Sequence, residues 1–282
     1  MRICSIKQLV GDNAQSKSRA WGLKGKWLKQ NEVITYCHGE GVTAQHIQEW
    51  EVVFREVEGF TNLTFKAQDD WKTALLRISY VEGGSWSYKG SDNYYVSKSE
   101  ATTNIGWYGA GTKRHELGHF VGLGHEHQNP RNKINLNHEA VYKFYQGPPN
   151  YWTRAQTYWN VIKNYEEKDT EGTELDSESN MLYPIPAEFT TDGFSSTYNE
   201  FYSKKDKEFL ASIYPKKEEE KEVEIPETKQ VIGLFIKDYM SNDPRQLRKL
   251  RATSLKAIAK ELEISYKNKR TTSEEIVAKL KQ

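Results

Sequence analysis

The 282-residue chain is short of cysteine, with 2, and of methionine, with 3. Two thiols in a chain this long exclude a disulfide-dependent scaffold. Cys4 and Cys37 leave a single bridge open, and they lack the close spacing of a thiolate zinc site. No apolar run approaches the roughly 18 residues that a membrane span needs, so no span is expected. Residues 1–8 hold one brief apolar stretch, broken by Lys7 and Gln8, too short for the core of a secretory signal. Charge of one sign is lacking too, and a formal net charge of +1 excludes no partner class. Aromatics are plentiful, with 8 Trp and 17 Tyr; such residues fill cores and also line peptide clefts. With 37% hydrophobic and 28% charged residues, the composition is that of a soluble, globular protein. The length suffices for more than one average domain.

Residues 216–229 are almost purely charged and contain Pro226, which marks a solvated linker between a large domain and a small module. Within the large domain, β-branched and aromatic residues predict a strand at 33–36, with further strands at 63–65, 75–80, 85–88 and 94–96. Thr43 is a candidate cap for a helix whose apolar face carries Ile47, Trp50, Phe54 and Val57, with Gly59 at its end. A mixed sheet backed by helices follows from this order.

Residues 115–125 carry the chemistry. His115 and His119 stand four apart, so a helix aims both imidazoles at one ion. Glu116 sits beside that ion without binding it. Gly122 tolerates positive φ and lets the chain turn, which brings His125 in as a third ligand. Three neutral imidazoles suit Zn²⁺ and leave a position for water. Glu116 would take that water's proton during attack on a carbonyl and pass it to the leaving amine. Four of the chain's seven histidines fall within residues 115–127, which disfavours three ordinary helix histidines.

The motif H-E-x-x-H-x-x-G-x-x-H, with Glu126 next and Ser179-Asn180-Met181-Leu182-Tyr183 further on, resembles the astacin family of metzincins over residues 11–215. The resemblance implies a zinc-dependent metalloendopeptidase with one Zn²⁺ on His115, His119 and His125. It implies Met181 as a hydrophobic floor and Tyr183 as an oxyanion donor. It casts residues 86–90 as the edge strand that pairs with substrate, and Ser203-Lys204-Lys205-Asp206 as the opening of the closing helix. Asn180 and Leu182 differ from the commonest residues of the turn at positions needing no special chemistry. The Leu9-Val10-Gly11-Asp12 run is similar to the family's inhibitory propeptide element, which makes Asp12 a candidate aspartate switch; a simple Gly-Asp turn is the equal alternative. Family resemblance implies an extracellular enzyme, yet the two disulfides usual in this domain are missing.

The expected architecture is α+β: a metzincin-like zinc peptidase domain with a mixed twisted sheet, long helices and an irregular C-terminal subdomain, then a small all-α module. The expected boundaries are 1–20 for a candidate prosegment, 21–215 for the peptidase, 216–229 for the linker and 230–282 for the module. Residues 229–282 hold 13 Lys or Arg against 6 acidic residues. Leu247, Leu250, Leu255, Ile258 and Leu262 step at helical spacing, and Ser273 is a fair cap for a last helix. The module weakly resembles helix–extended-loop–helix domains of the SAP or Rho N-terminal type, which implies a nucleic-acid partner; a protein-docking role is at least as compatible. The competing reading of the whole is a non-catalytic zinc scaffold whose basic module does the work.

Overall fold

The computed structural model describes residues 4–7, 17–18, 21–24, 26–148, 150–166, 170–172, 174–216 and 244–280. Asp12 and all of the 216–229 linker except Lys216 lie outside the described residues. Contacts divide the chain into two units, Met1–Lys216 and Lys217–Gln282.

The first unit is framed by strands β1 (Cys4–Lys7), β2 (Lys17–Ser18), β3 (Trp21–Lys24), β4 (Val33–His38), β5 (Thr64–Ala67), β6 (Leu76–Ser79), β7 (Ser85–Tyr88), β8 (Thr103–Asn104) and β9 (Thr170–Gly172). Six of them form one mixed sheet in the order β1-β7-β8-β6-β4-β5, while β2, β3 and β9 pair separately. Within the sheet β8, β6, β4 and β5 run parallel to one another, and β7 is antiparallel to β8. The strand expected to lie at the edge is covered: β1 pairs in parallel with β7, Cys4 opposite Ser85 and Lys7 opposite Tyr88.

Helix α1 (Ala44–Phe60) is capped by the Thr43 side chain, which accepts from the His46 amide. Trp50, Val53, Phe54 and Val57 are fully buried on the sheet, but Ile47 is 43% exposed. His46 takes the inward place instead, stacked 4.2 Å from the Tyr80 ring. Gly59 does not end this helix. It lies inside it, and the stop comes where the amide and hydroxyl of Thr61 both donate to the Val57 carbonyl. Residues 94–96 form no strand. Gly90 at φ +52 turns the chain into a 3₁₀ helix over Gly90–Tyr94, packed so closely on Lys26 that a Cβ at 90 would overlap its carbonyl.

Helix α2 (Ala110–Phe120) is pinned to α1 by two ion pairs, Lys113–Glu49 at 2.5 Å and Arg114–Glu56 at 2.6 Å. The Lys113 side chain is fully buried, so removing one partner would strand a charge at about 3–5 kcal/mol. The pairs hold one face of α2 and leave another to the cleft. Then come α3 (His138–Gln146), α4 (Arg154–Thr157) and α5 (Lys204–Ile213). Ser203 and Asp206 cap α5 reciprocally, each side chain bonding the other's amide. The main core joins Ile34, Ile78, Trp50, Phe54, Leu117 and Met181; each such side chain contributes roughly 1.5–3 kcal/mol by burial. A second cluster, including Val141, Tyr145, Leu182 and Tyr183, underlies the irregular part.

In the second unit α6 (Pro244–Leu247), α7 (Ala252–Glu261) and α8 (Lys269–Leu280) enclose Leu247, Leu250, Leu255, Ile258 and Ile276. Ser273 is not the cap of the last helix. That helix starts a turn earlier, where Asn268 accepts from the Thr271 amide, and Ser273 bonds back to the Lys269 carbonyl inside it.

Candidate metal centre and active site

Helix α2 puts His115 and His119 on one face, their ring centroids 4.7 Å apart. Each ring is fixed by its Nδ1, which bonds a carbonyl oxygen: Asn180 at 2.7 Å for His115 and Leu123 at 2.9 Å for His119. A carbonyl only accepts, so Nδ1 holds the proton and Nε2 presents a lone pair. Burial pushes His115 down to about 4 and holds His119 and His125 well below the ordinary imidazole range, so all three rings are neutral.

The chain leaves α2 through Gly122 at φ +118, where a Cβ would come 2.5 Å from the Trp27 ring. Gly122 therefore serves the turn twice, by its backbone and by its lack of side chain. After that turn His125 Nε2 lies 3.0 Å from His119 Nε2. Below the site the Met181 Sδ would stand only 2.5 Å from a Cβ at Gly118. The floor thus needs a glycine in the helix above it.

The fourth member comes from far away in sequence. Cys4 Sγ lies 3.3 Å from His119 Nε2 and 3.2 Å from His125 Nε2. Candidate ligand atoms of Cys4, His115, His119 and His125 all fall within 4.8 Å of one another, and all four residues are buried. Donors on a tetrahedral zinc with bonds of about 2.0–2.3 Å stand roughly 3.3–3.7 Å apart, so the cluster is of the right size. His119 Nε2, His125 Nε2 and the Cys4 sulfur thus converge at the spacing that donors on one cation adopt. The His115 Nε2 has no hydrogen-bond partner among the described residues. The donor set fits zinc. The distant spacing of Cys4 and Cys37 gave neither a metal role; both are free and buried, so they form no disulfide, and Cys4 joins the histidines because β1 crosses the site.

Glu116 is fully buried, and neither of its oxygens has a conventional hydrogen-bond partner among the described residues. Burial pushes it well above the usual carboxylate range, with the facing Cys4 thiol pulling weakly the other way. Burial, and then the Glu116 charge, push the Cys4 thiol up in turn. Tyr183 is 3% exposed, with its ring 4.3 Å from that of His125. Its hydroxyl donates to the Cys4 carbonyl. Burial keeps its pKa far above the ordinary phenol value, so it remains a donor.

Asp206, Asn180 and Gly118 have supporting roles that the sequence did not assign them. Asp206 accepts from the Ser179 hydroxyl at 2.8 Å and the Asn180 amide at 3.1 Å, tying the Met181 turn to the start of α5. Asn180 was read as needing no special chemistry, yet its carbonyl orients His115 and its side-chain amide donates to the Gly111 and Asn199 carbonyls. Gly118 makes room for Met181. Glu126 is buried, pushed up to about 8 by burial, and accepts from the Asn129 side chain and the Asp176 amide.

Among solved structures, one of myroilysin, an astacin-family zinc metalloprotease, matches 70% of this chain and 98% of its own, with 31% sequence identity and a TM-score of 0.66. The chain belongs to the astacin-like family of zinc metallopeptidases. A second myroilysin structure matches this astacin-like chain at 28% identity over 76% of it and 91% of the other, with a TM-score of 0.56. High choriolytic enzyme 1, a hatching enzyme zinc-protease from Oryzias latipes (Medaka fish), matches at 16% identity over 69% of this chain and 96% of its own, with a TM-score of 0.49. No family model and no curated protein matches. This astacin-like chain is a zinc metalloendopeptidase that hydrolyses peptide bonds and uses one zinc ion. No helix among the described residues is long and apolar enough to cross a membrane.

Proposed function

We propose that the chain is a latent endopeptidase. His115, His119 and His125 hold the zinc, and Glu116 is the general base. Tyr183 is the oxyanion donor, Met181 the floor, and Cys4 the fourth ligand until the N-terminal strand leaves. The observation that carries this reading is the convergence of one thiol and three imidazoles, with Tyr183 bonded to the same cysteine's carbonyl.

Zinc bound here would polarise the scissile carbonyl and acidify the water beside it. The chain's own groups do the rest. Glu116, desolvated and therefore basic enough to work near neutrality, takes a proton from the attacking water and delivers it to the leaving amine. The Tyr183 phenol donates a hydrogen bond to the carbonyl oxygen as its charge grows. The free edge of β7 binds extended peptide through its main chain; β1 now occupies that edge, so it and a substrate compete. Asp12, outside the described residues, remains a second candidate for the inhibitory group. The decisive comparison is the full chain with Cys4→Ala against Asp12→Ala. Faster peptide cleavage by the first alone supports the thiol; faster cleavage by the second alone assigns latency to Asp12.

For the small basic module, residues 230–282, we propose a nucleic-acid or protein partner. Binding of the full chain to duplex DNA that weakens steeply with salt would support nucleic acid. Export from the cell, which family resemblance implies, is tested by looking for the enzyme in culture medium.

A further inference from the structure

A cavity of about 400 Å³ opens beside the metal centre. His115 and Glu116 line it, with Cys4 and Tyr183; His119 and His125 do not. That asymmetry gives the cavity a direction. On the function proposed above, Glu116 hands its proton to the leaving amine, so the amine half of the cleaved bond lies on the Glu116 side. The cavity therefore receives the side chain of the residue immediately after the bond.

The lining says which side chain that is. Leu182, Pro184, Trp107 and Tyr198 supply apolar and aromatic wall, suited to a methylene stem. Among the described residues its only acidic side chains are Glu116 and Glu200, and no lysine or arginine lines it. Glu116 is committed to the proton. Glu200 is exposed, and its carboxylate makes no hydrogen bond or ion pair among the described residues. The neighbouring cation, Arg114, is held by Glu56 at 2.6 Å and touches only the Glu200 carbonyl, at 3.3 Å. Gly111 lets Glu200 sit there: a Cβ at 111 would come 2.9 Å from Glu200 Cγ and 2.6 Å from the Tyr198 hydroxyl. The bare first turn of α2 thus lets the 198–200 segment close the cavity with Glu200 among its lining residues.

We propose that Glu200 is the specificity-determining residue of this cavity and directs cleavage to bonds followed by lysine or arginine. A long apolar stem ending in a cation matches the wall and the carboxylate together, and an acidic side chain would meet repulsion. Since the contact forms on binding and persists through reaction, it acts mainly on KM.

The test uses the zinc-loaded full chain carrying Cys4→Ala and three fluorogenic peptides that differ only after the scissile bond: lysine, its neutral isostere norleucine, and glutamate. An exposed carboxylate–ammonium pair is worth about 1 kcal/mol, so lysine should exceed norleucine about fivefold in kcat/KM. Glu200→Gln should bring the two together, and Glu200→Lys should favour glutamate over lysine. Equal rates for lysine and norleucine, or a lysine preference that survives Glu200→Gln, overturns the proposal while the peptidase reading stands. Failure to cut any of the three removes that reading, and the proposal with it.

Discussion

The two sides of the metal centre are built in opposite ways. On one side, His115, Glu116, His119 and His125 come from eleven consecutive residues held by α2, two ion pairs to α1 and the Gly122 turn. On the other, Cys4 belongs to a four-residue strand attached along one edge of β7. The first side is over-determined by local geometry and buried charge. The second adds one thiol and a short ladder, which on the proposed function a substrate would replace. On the proposed function, a site made this way would keep its metal and give up only the thiol.

That contrast can be broken experimentally. The largest effect is expected from Glu116→Gln, which should lower kcat by about 10²–10⁴-fold while metal analysis still finds one zinc per chain. Activity near the parent level would mean that another group takes the proton. Chelation should abolish cleavage and lower Tm, with zinc restoring both; a chelator-resistant activity would place the chemistry elsewhere. On the provisional side, Cys4→Ala should speed peptide cleavage by the full chain by roughly tenfold or more, since each 1.4 kcal/mol released is a factor of ten. Unchanged rates would make β1 a bystander.

Smaller effects test the rigid side. Gly122→Ala should cost about 1–3 kcal/mol, from positive φ and the Trp27 contact, and is read from denaturant melts. Gly118→Ala should cost about 1–2 kcal/mol, because the flexible Met181 thioether can move aside. If Gly118→Ala proved the worse of the two, the floor rather than the turn would be the stiffer part.

The same contrast explains what could be read in the sequence. The zinc helix, the turn and the Met181 segment announce themselves because their determinants are local: four-residue spacing, a glycine, a serine and tyrosine around a methionine. The α+β class followed from strand and helix periodicities for the same reason. Cys4 was invisible as a candidate ligand because the histidines beside it lie more than a hundred residues away and only strand pairing brings them together. Asp206 and Asn180 escaped because their value lies in hydrogen bonds across the fold. His46 displaced Ile47 from the core through stacking on Tyr80, which no hydropathy pattern encodes.

The bond from the Tyr183 hydroxyl to the Cys4 main chain carries a kinetic consequence. A phenol has a single proton to donate, so while residue 4 holds it no reacting oxygen can. Departure of one strand would uncover the ion and release this donor in the same event. Arming would then be all or none: a population midway through processing should contain idle and fully competent molecules in changing proportion, with none working at reduced speed.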